Sequence, residues 1–333
     1  MKVLMVCNYK AGAGGISGQV ELLREELRNE GHVVEIFNTK ASALKRFSMM
    51  SKLRRAAVGY DVIHVHCCSS LGFFPAVIGI NVGKQLDKRI VLTYHGGGGE
   101  AFFDRHPRLV QKYLLQTDTN IVLSEFLAKV FEKYSLPYTI IPNIIELDTT
   151  RFCPREVIQP NFICTRAHEP LYDIPCILRA FQKVQSVLPE ATLMLVGDGS
   201  QHRQLMLQVE SMGLRNVTFT GRVDNKEIYH YLDQCDVMLS ASIVDNMPVS
   251  VLEAMNAGLL VIASRVGGVP YLIEENETGL LFASGCDEEL AERMLWAFSN
   301  QNKVEEILKK ANQKVCDYRW KNVRNKLLSV YGQ

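Results

Sequence analysis

The 333-residue chain lacks the features that mark secreted, fibrous, membrane-spanning or nucleic-acid-binding proteins. None of its nine cysteines forms a C-x-x-C pair, and their odd count argues against a disulfide framework, so they read as reduced, mostly buried thiols. No window holds about 18 consecutive apolar residues, which leaves no membrane span. At the start, one lysine and a short apolar run precede Asn8, too little for a signal peptide, and the expected compartment is the cytoplasm. Neither sign of charge is in excess: 37 Lys and Arg stand against 36 Asp and Glu, a formal net charge of +1 that gives no global field for nucleic acid. No repeat of about 20 to 50 residues recurs, which excludes a solenoid. No Asp-x-Asp ends an apolar run, so a Mg²⁺ site of that kind against a diphosphate is not expected.

What the chain does have is alternation. Short β-branched runs alternate with segments of helical period, the pattern of βα units on a parallel sheet. Strands are predicted at 2–7, 32–37, 61–66, 89–94, 120–123 and 138–141, then at 161–165, 192–196, 217–220, 236–240, 260–263 and 279–283. Two such sets imply two doubly wound α/β domains rather than one barrel, and ligands are expected in a cleft. Pro142, Asn143, Pro154 and Pro160 interrupt the periodicity, which puts a linker near 142–160 and the domains at 1–150 and 151–317. The tail from about 303 to 331 has a continuous helical pattern.

Residues 1–150 hold 18 Lys and Arg against 14 Asp and Glu, leaving 19 against 22 for the rest. The basic excess gathers in 40–55, where Lys40, Lys45, Arg46, Lys52, Arg54 and Arg55 alternate with Leu44, Phe47, Met49, Met50 and Leu53. That composition describes a basic amphipathic helix, suited to an anionic membrane surface or to a solvated face beside a cleft.

Four motifs carry chemistry. Gly12, Gly14 and Gly15 follow the first strand and open a helix, a turn that lets backbone N–H groups approach a phosphate. A dinucleotide fingerprint needs glycine at position 17, which is Ser17. His66 ends one strand, and His95 follows another ahead of four glycines, both at the end of a sheet where ligands bind. A second glycine turn, Gly197-Asp198-Gly199, lies in the later half. Asp245 and Glu253 then bracket an Asn/Pro/Ser loop that feeds a helix, a pair able to accept hydrogen bonds from sugar hydroxyls while the helix start faces a phosphate. Each has a plainer reading: turn-forming glycines, core histidines, and Glu253 as a partner of the helix dipole.

Taken in order, these residues resemble a retaining glycosyltransferase of family 4, with the GT-B fold of two Rossmann-like domains facing across a cleft. Gly14-Gly15 is similar to the family's N-terminal glycine pair, Thr93-Tyr94-His95 to its Thr-x-His element, Pro142-Asn143 to its Pro-Asn, and Asp245 to Glu253 to its E-x7-E motif with Asp in the first place. The resemblance implies transfer of a sugar from a nucleoside diphosphate donor to an acceptor hydroxyl without a metal or resident cofactor. It implies that Glu253 binds the ribose, that Asp245 with Asn246, Met247, Val249 and Ser250 holds the sugar, that Arg166 and the Gly197 turn meet the diphosphate, that Val223 meets the base, and that His95 stands beside the sugar. The helix at about 318–333 would pack on the N-terminal, acceptor-binding domain.

Departures from the pattern are specific. The family's Arg-x4-Lys-Gly clamp reads Arg166 to Tyr172-Asp173, so its lysine is missing; Pro248 replaces a loop glycine, and Tyr271 stands where Glu is common. A UDP-sugar is favoured over a GDP-sugar, and polysaccharide or glycolipid assembly as the setting, with a sugar or lipid-linked acceptor at the cytoplasmic membrane face. The rival readings are a nucleotide-sugar epimerase or hydrolase on the same fold and a non-catalytic sugar-nucleotide binding module.

Overall fold

The computed structural model describes residues 1–12, 14–40, 48–145, 155 and 157–332. The chain divides into two compact units, Met1–Glu146 with Tyr318–Gln333, and Leu147–Asp317. The linker expected at 142–160 therefore lies largely outside the described residues, as does 41–47 of the basic segment.

The first unit is built on β1 (Lys2–Cys7), β2 (Val33–Asn38), β3 (Val62–Cys67), β4 (Arg89–Tyr94), β5 (Thr119–Val122) and β6 (Thr139–Ile140). They form one sheet in the order β2-β1-β3-β4-β5-β6, and every pairing is parallel. Parallel strands covered by helices on both faces need apolar side chains on both. In β1, Leu4 and Val6 enter one core with Met49, Leu53 and Ile63, while Val3, Met5 and Cys7 enter the other with Val323, Leu327 and Tyr331. The helix Trp320–Tyr331 thus seals one face of this sheet.

The second unit carries β7 (Asn161–Cys164), β8 (Thr192–Val196), β9 (Val217–Gly221), β10 (Val237–Ser240), β11 (Leu260–Ser264) and β12 (Leu280–Phe282), ordered β12-β11-β10-β7-β8-β9 and again parallel. Phe162, Leu193, Leu239, Ile262 and Phe282 pack with the helices Ile174–Val187, Asp287–Ser299 and Gln301–Val315.

Two expectations change. The tail is not one helix: Gln301–Val315 ends at a 3-10 turn, Cys316–Tyr318, and Trp320–Tyr331 begins afresh. The break has a long-range cause, because Ile145 N–H donates to the Tyr318 carbonyl and the extended Arg319 pairs with Ile145 as a short strand would. The described part of the basic segment is the helix Met49–Ala57, whose Met49, Leu53 and Ala57, spaced four apart, are buried in the core. Its apolar face is filled by the protein, so it has no such face free to enter a bilayer. Lys52, Arg54 and Arg55 remain exposed. Among the described residues no helix is long and apolar enough to cross a membrane.

Candidate functional site

Where the strand order reverses in an open parallel sheet, successive loops part to opposite sides and leave a crevice at the carboxyl ends of the strands. In the second unit that point lies between β7 and β10, and the loops leaving these strands meet there. Arg166, two residues past β7, donates from Nη1 to Ser250 Oγ at 2.9 Å and from Nη2 to Ser242 Oγ at 3.3 Å, and pairs with Asp245 Oδ2. Its guanidinium lies 4.2 Å from the centre of the Tyr172 ring. Tyr172 supplies no charge for the missing lysine; it holds the one arginine in place by cation–π contact.

Asp245 is therefore the counter-ion of Arg166. Its Oδ1 also accepts the Asn246 N–H at 2.9 Å, and its carbonyl accepts the Gly268 N–H at 3.1 Å. Close backbone approach fixes two glycines here: a Cβ at Gly197 would stand 2.4 Å from the Arg166 carbonyl oxygen, and one at Gly268 1.9 Å from that of Asn246. Asn246, Met247 and Ser250 are buried and Val249 half-buried, at the start of the helix Val249–Asn256 that Pro248 caps. Glu253, one turn further on, is half-buried, and burial pushes its carboxyl up to about 7, with the Arg166 charge pulling the other way. Val223 sits past β9, the edge strand.

The segments that follow β7 and β8 hold buried polar atoms with no partner among the described residues. Thr165 Oγ1, Arg166 Nε, His168 Nε2 and Gln201 Oε1 all lack one. His168 is fully buried, and its Nδ1 lies 2.8 Å from Nδ1 of His202, which stacks on it. An unmet buried polar atom costs about 1–3 kcal/mol, so four of them in the segments that follow β7 and β8 mark a place suited to a polar ligand. Sequence reasoning picked Arg166 alone of these; Tyr172 was marked only as standing in the place of the clamp lysine, and Ser242, two residues past β10, gave no signal of its own.

In the first unit the Gly14-Gly15 turn is exposed and leads into the helix Ile16–Asn29. Ser17, which breaks the dinucleotide fingerprint, accepts the Lys10 N–H at 3.1 Å and closes the loop on itself. His64, His66 and His95 form a chain across β3 and β4. His64 Nδ1 lies 2.6 Å from the Tyr331 hydroxyl and its Nε2 2.8 Å from Thr93 Oγ1, while His66 Nδ1 lies 3.1 Å from His95 Nε2. Burial pushes His64 and His95 down to about 3 and, with the neighbouring histidines, holds His66 well below the usual range, so all three rings are neutral near pH 7. They line a cavity of about 40 Å³ whose remaining wall is mostly apolar, including Leu23, Ile121, Ile141 and Leu327.

Comparison with known proteins now adds to this geometry. Residues 159–315 match the family model Glycosyl transferases group 1, and residues 37–149 match Glycosyltransferase Family 4. The chain is 30% identical over 153 residues to Sulfoquinovosyl transferase SQD2 of Arabidopsis thaliana, covering 45% of this chain and 29% of that protein, so it spans less than a third of that relative. It is 24% identical over 323 residues to Alpha-monoglucosyldiacylglycerol synthase of Streptococcus pneumoniae, covering 81% and 71%. Its structure resembles that of Anabaena Alr3699/HepE in complex with UDP-glucose, with a TM-score of 0.79 over 99% of this chain and 98% of that one at 18% identity. Identity that low speaks to the fold alone, and the fold is GT-B.

Proposed function

We propose that this chain, a glycosyltransferase by its family 4 domain in the first unit and its group 1 domain in the second, moves a sugar from a UDP-sugar to an acceptor hydroxyl with retention of configuration. The observation that carries the donor assignment is the buried polar atoms of Thr165, Arg166 and His168 that lack a partner among the described residues, with Arg166 donating to Ser250 one helix turn before the half-buried Glu253. Arg166 and the Gly197 turn would meet the diphosphate, Glu253 the ribose hydroxyls, Val223 the base, and Asp245 with the 246–250 backbone the sugar. Each carboxylate oxygen has two lone pairs, so Asp245 can accept a sugar hydroxyl while it stays paired with Arg166. Of the first unit, Gly14, Gly15 and His95 are assigned to the same reaction and the unit as a whole to the acceptor. Leaving-group charge would fall to Arg166 and backbone N–H groups without a metal.

Glycolipid or polysaccharide assembly is the setting that relatives such as the pneumococcal synthase support. The test is incubation with UDP-sugars and GDP-sugars, with and without lipid and sugar acceptors. A new glycoside formed only with acceptor, with the anomeric proton coupling of the donor and undiminished by EDTA, is expected. Epimer formed without acceptor, or free sugar alone, would replace this reading with that of an epimerase or a hydrolase. Asp245→Ala is expected to remove most of the transfer.

For the membrane the proposal is electrostatic, because the apolar side of the helix Met49–Ala57 is already buried. Lys52, Arg54 and Arg55 would each add about 1 kcal/mol of attraction to an anionic surface. Co-sedimentation with anionic vesicles at low salt, lost at high salt and in the triple glutamine variant, is expected; binding that survives high salt would exclude this mode.

A further inference from the structure

A neutral imidazole carries one N–H and one lone pair, and its neighbours decide which nitrogen holds which. His66 is 3% exposed. Its Nδ1 faces His95 Nε2 at 3.1 Å, whereas its Nε2 has no partner among the described residues. Were the proton on Nε2, a buried N–H would be left unmet beside a largely apolar wall, and folded proteins leave a buried N–H unmet less often than an acceptor. The proton therefore sits on Nδ1, and His66 donates to His95 Nε2.

This fixes the second ring. His95 Nε2 accepts, so the His95 proton is on Nδ1, a nitrogen that makes no hydrogen bond in the described part of the protein. The His95 backbone is held as well, its N–H donating to the Cys67 carbonyl at 2.9 Å. Behind His66, the ring of His64 packs at 4.1 Å between centroids and is itself pinned by Thr93 and by Tyr331 of the terminal helix. We propose that His66 is a positioning residue that locks His95 in the Nδ1–H tautomer, so that His95 meets substrate as a neutral hydrogen-bond donor and not as a proton acceptor. The substrate contact rests on the glycosyltransferase reading of His95; the tautomer does not.

The test reads the tautomer directly. Two-bond ¹H–¹⁵N correlation spectra of the full-length protein near pH 7, assigned with His66→Asn and His95→Gln, are expected to report Nδ1–H for both rings. His66→Asn keeps an N–H near the position of Nδ1 and should leave His95 unchanged. His66→Leu removes it and should release His95 to the Nε2–H or averaged form, with thermal melting checking that the variant folds. If it does not fold, the wild-type spectrum and the asparagine variant still decide. Turnover should follow: kcat/KM lower by about five- to tenfold in His66→Leu, the size of one neutral hydrogen bond, and close to wild type in His66→Asn. An Nε2–H tautomer on His95 in the wild type, or a tautomer indifferent to His66→Leu, overturns the proposal. Absence of transfer from every donor, with the Nδ1–H tautomer observed, would instead fail the functional reading and leave the positioning intact.

Discussion

Glu253→Gln is expected to melt at a higher temperature than the wild type near pH 8 while transferring sugar about ten- to a hundredfold more slowly, the loss that follows from one charged hydrogen bond. The two effects share one cause. Burial raises the Glu253 carboxyl from an ordinary 4.5 to about 7 in the folded protein. The folded state therefore binds more protons than the unfolded chain between those values. The stabilisation this gives is fully present below about 4.5 and is lost as the pH rises through 7. Above 7 the ionised carboxylate costs the folded protein about 2–3 kcal/mol, which glutamine does not incur. The stability difference should appear near pH 8 and vanish below about pH 4. Donor affinity should run the opposite way, since only the carboxylate accepts well from ribose hydroxyls. The wild type binds nucleotide more weakly as the pH falls below 7, and the glutamine variant is flat. Thermal melts and nucleotide titrations at the two pH values check both halves. Wild-type turnover in Glu253→Gln would remove Glu253 from the donor site, and equal melting near pH 8 would remove the cost of its burial. A group that destabilises the empty protein and serves only a ligand is what a binding site leaves behind.

The periodicity of the sequence specified the fold closely because the strands are apolar on both faces and bounded by turn residues. Three of them, Lys2–Cys7, Arg89–Tyr94 and Thr192–Val196, begin and end where the pattern does. The loops at the strand ends were legible for the same reason, since glycines and carboxylates at a strand-to-helix turn stand out against an apolar run. What stayed hidden depends on contacts between distant positions. Met49 and Leu53 belong to a segment that reads equally as a membrane-surface helix or as a solvated face beside a cleft, because a helix pattern does not say what covers its apolar stripe. The tail reads as one helix because the pairing of Ile145 with Arg319 joins positions separated by about half the chain. The histidine chain joins Tyr331 to His64 across 267 positions. Arg166 is visible as a motif residue, but the loop from Asp245 to Ser250 gives no sign that Asp245 is its counter-ion.

The residue most thoroughly hidden is Arg155, and its removal should be the largest structural loss. It follows Pro154 in a stretch without periodicity, where a lone arginine looks like a solvated linker charge. In the structure its side chain is 10% exposed and every part of its fork is engaged. Nε donates to Asp236 Oδ1 at 2.6 Å, Nη1 to the carbonyls of Ala257 at 2.8 Å and Gly258 at 3.0 Å, and Nη2 to those of Cys235 at 2.6 Å and Leu232 at 3.4 Å. Those carbonyls end the helices that lead into β10 and β11, so one guanidinium gathers two helix ends and the incoming chain, where its charge also suits the negative ends of the helix dipoles. Asp236 completes the joint by accepting the Gln159 N–H at 2.9 Å. Removing the arginine strands a shielded carboxylate and the carbonyls together, a change expected to cost about 3–5 kcal/mol, or about 10 °C for a unit of this size. Arg155→Lys restores the charge but cannot span both helix ends, so it should recover only part of the loss. Urea denaturation of the full chain should move the transition of the second unit to lower urea in Arg155→Ala and leave that of the first unit unchanged. A variant within about 1 kcal/mol of the wild type would mean that water satisfies these groups as well as the arginine does.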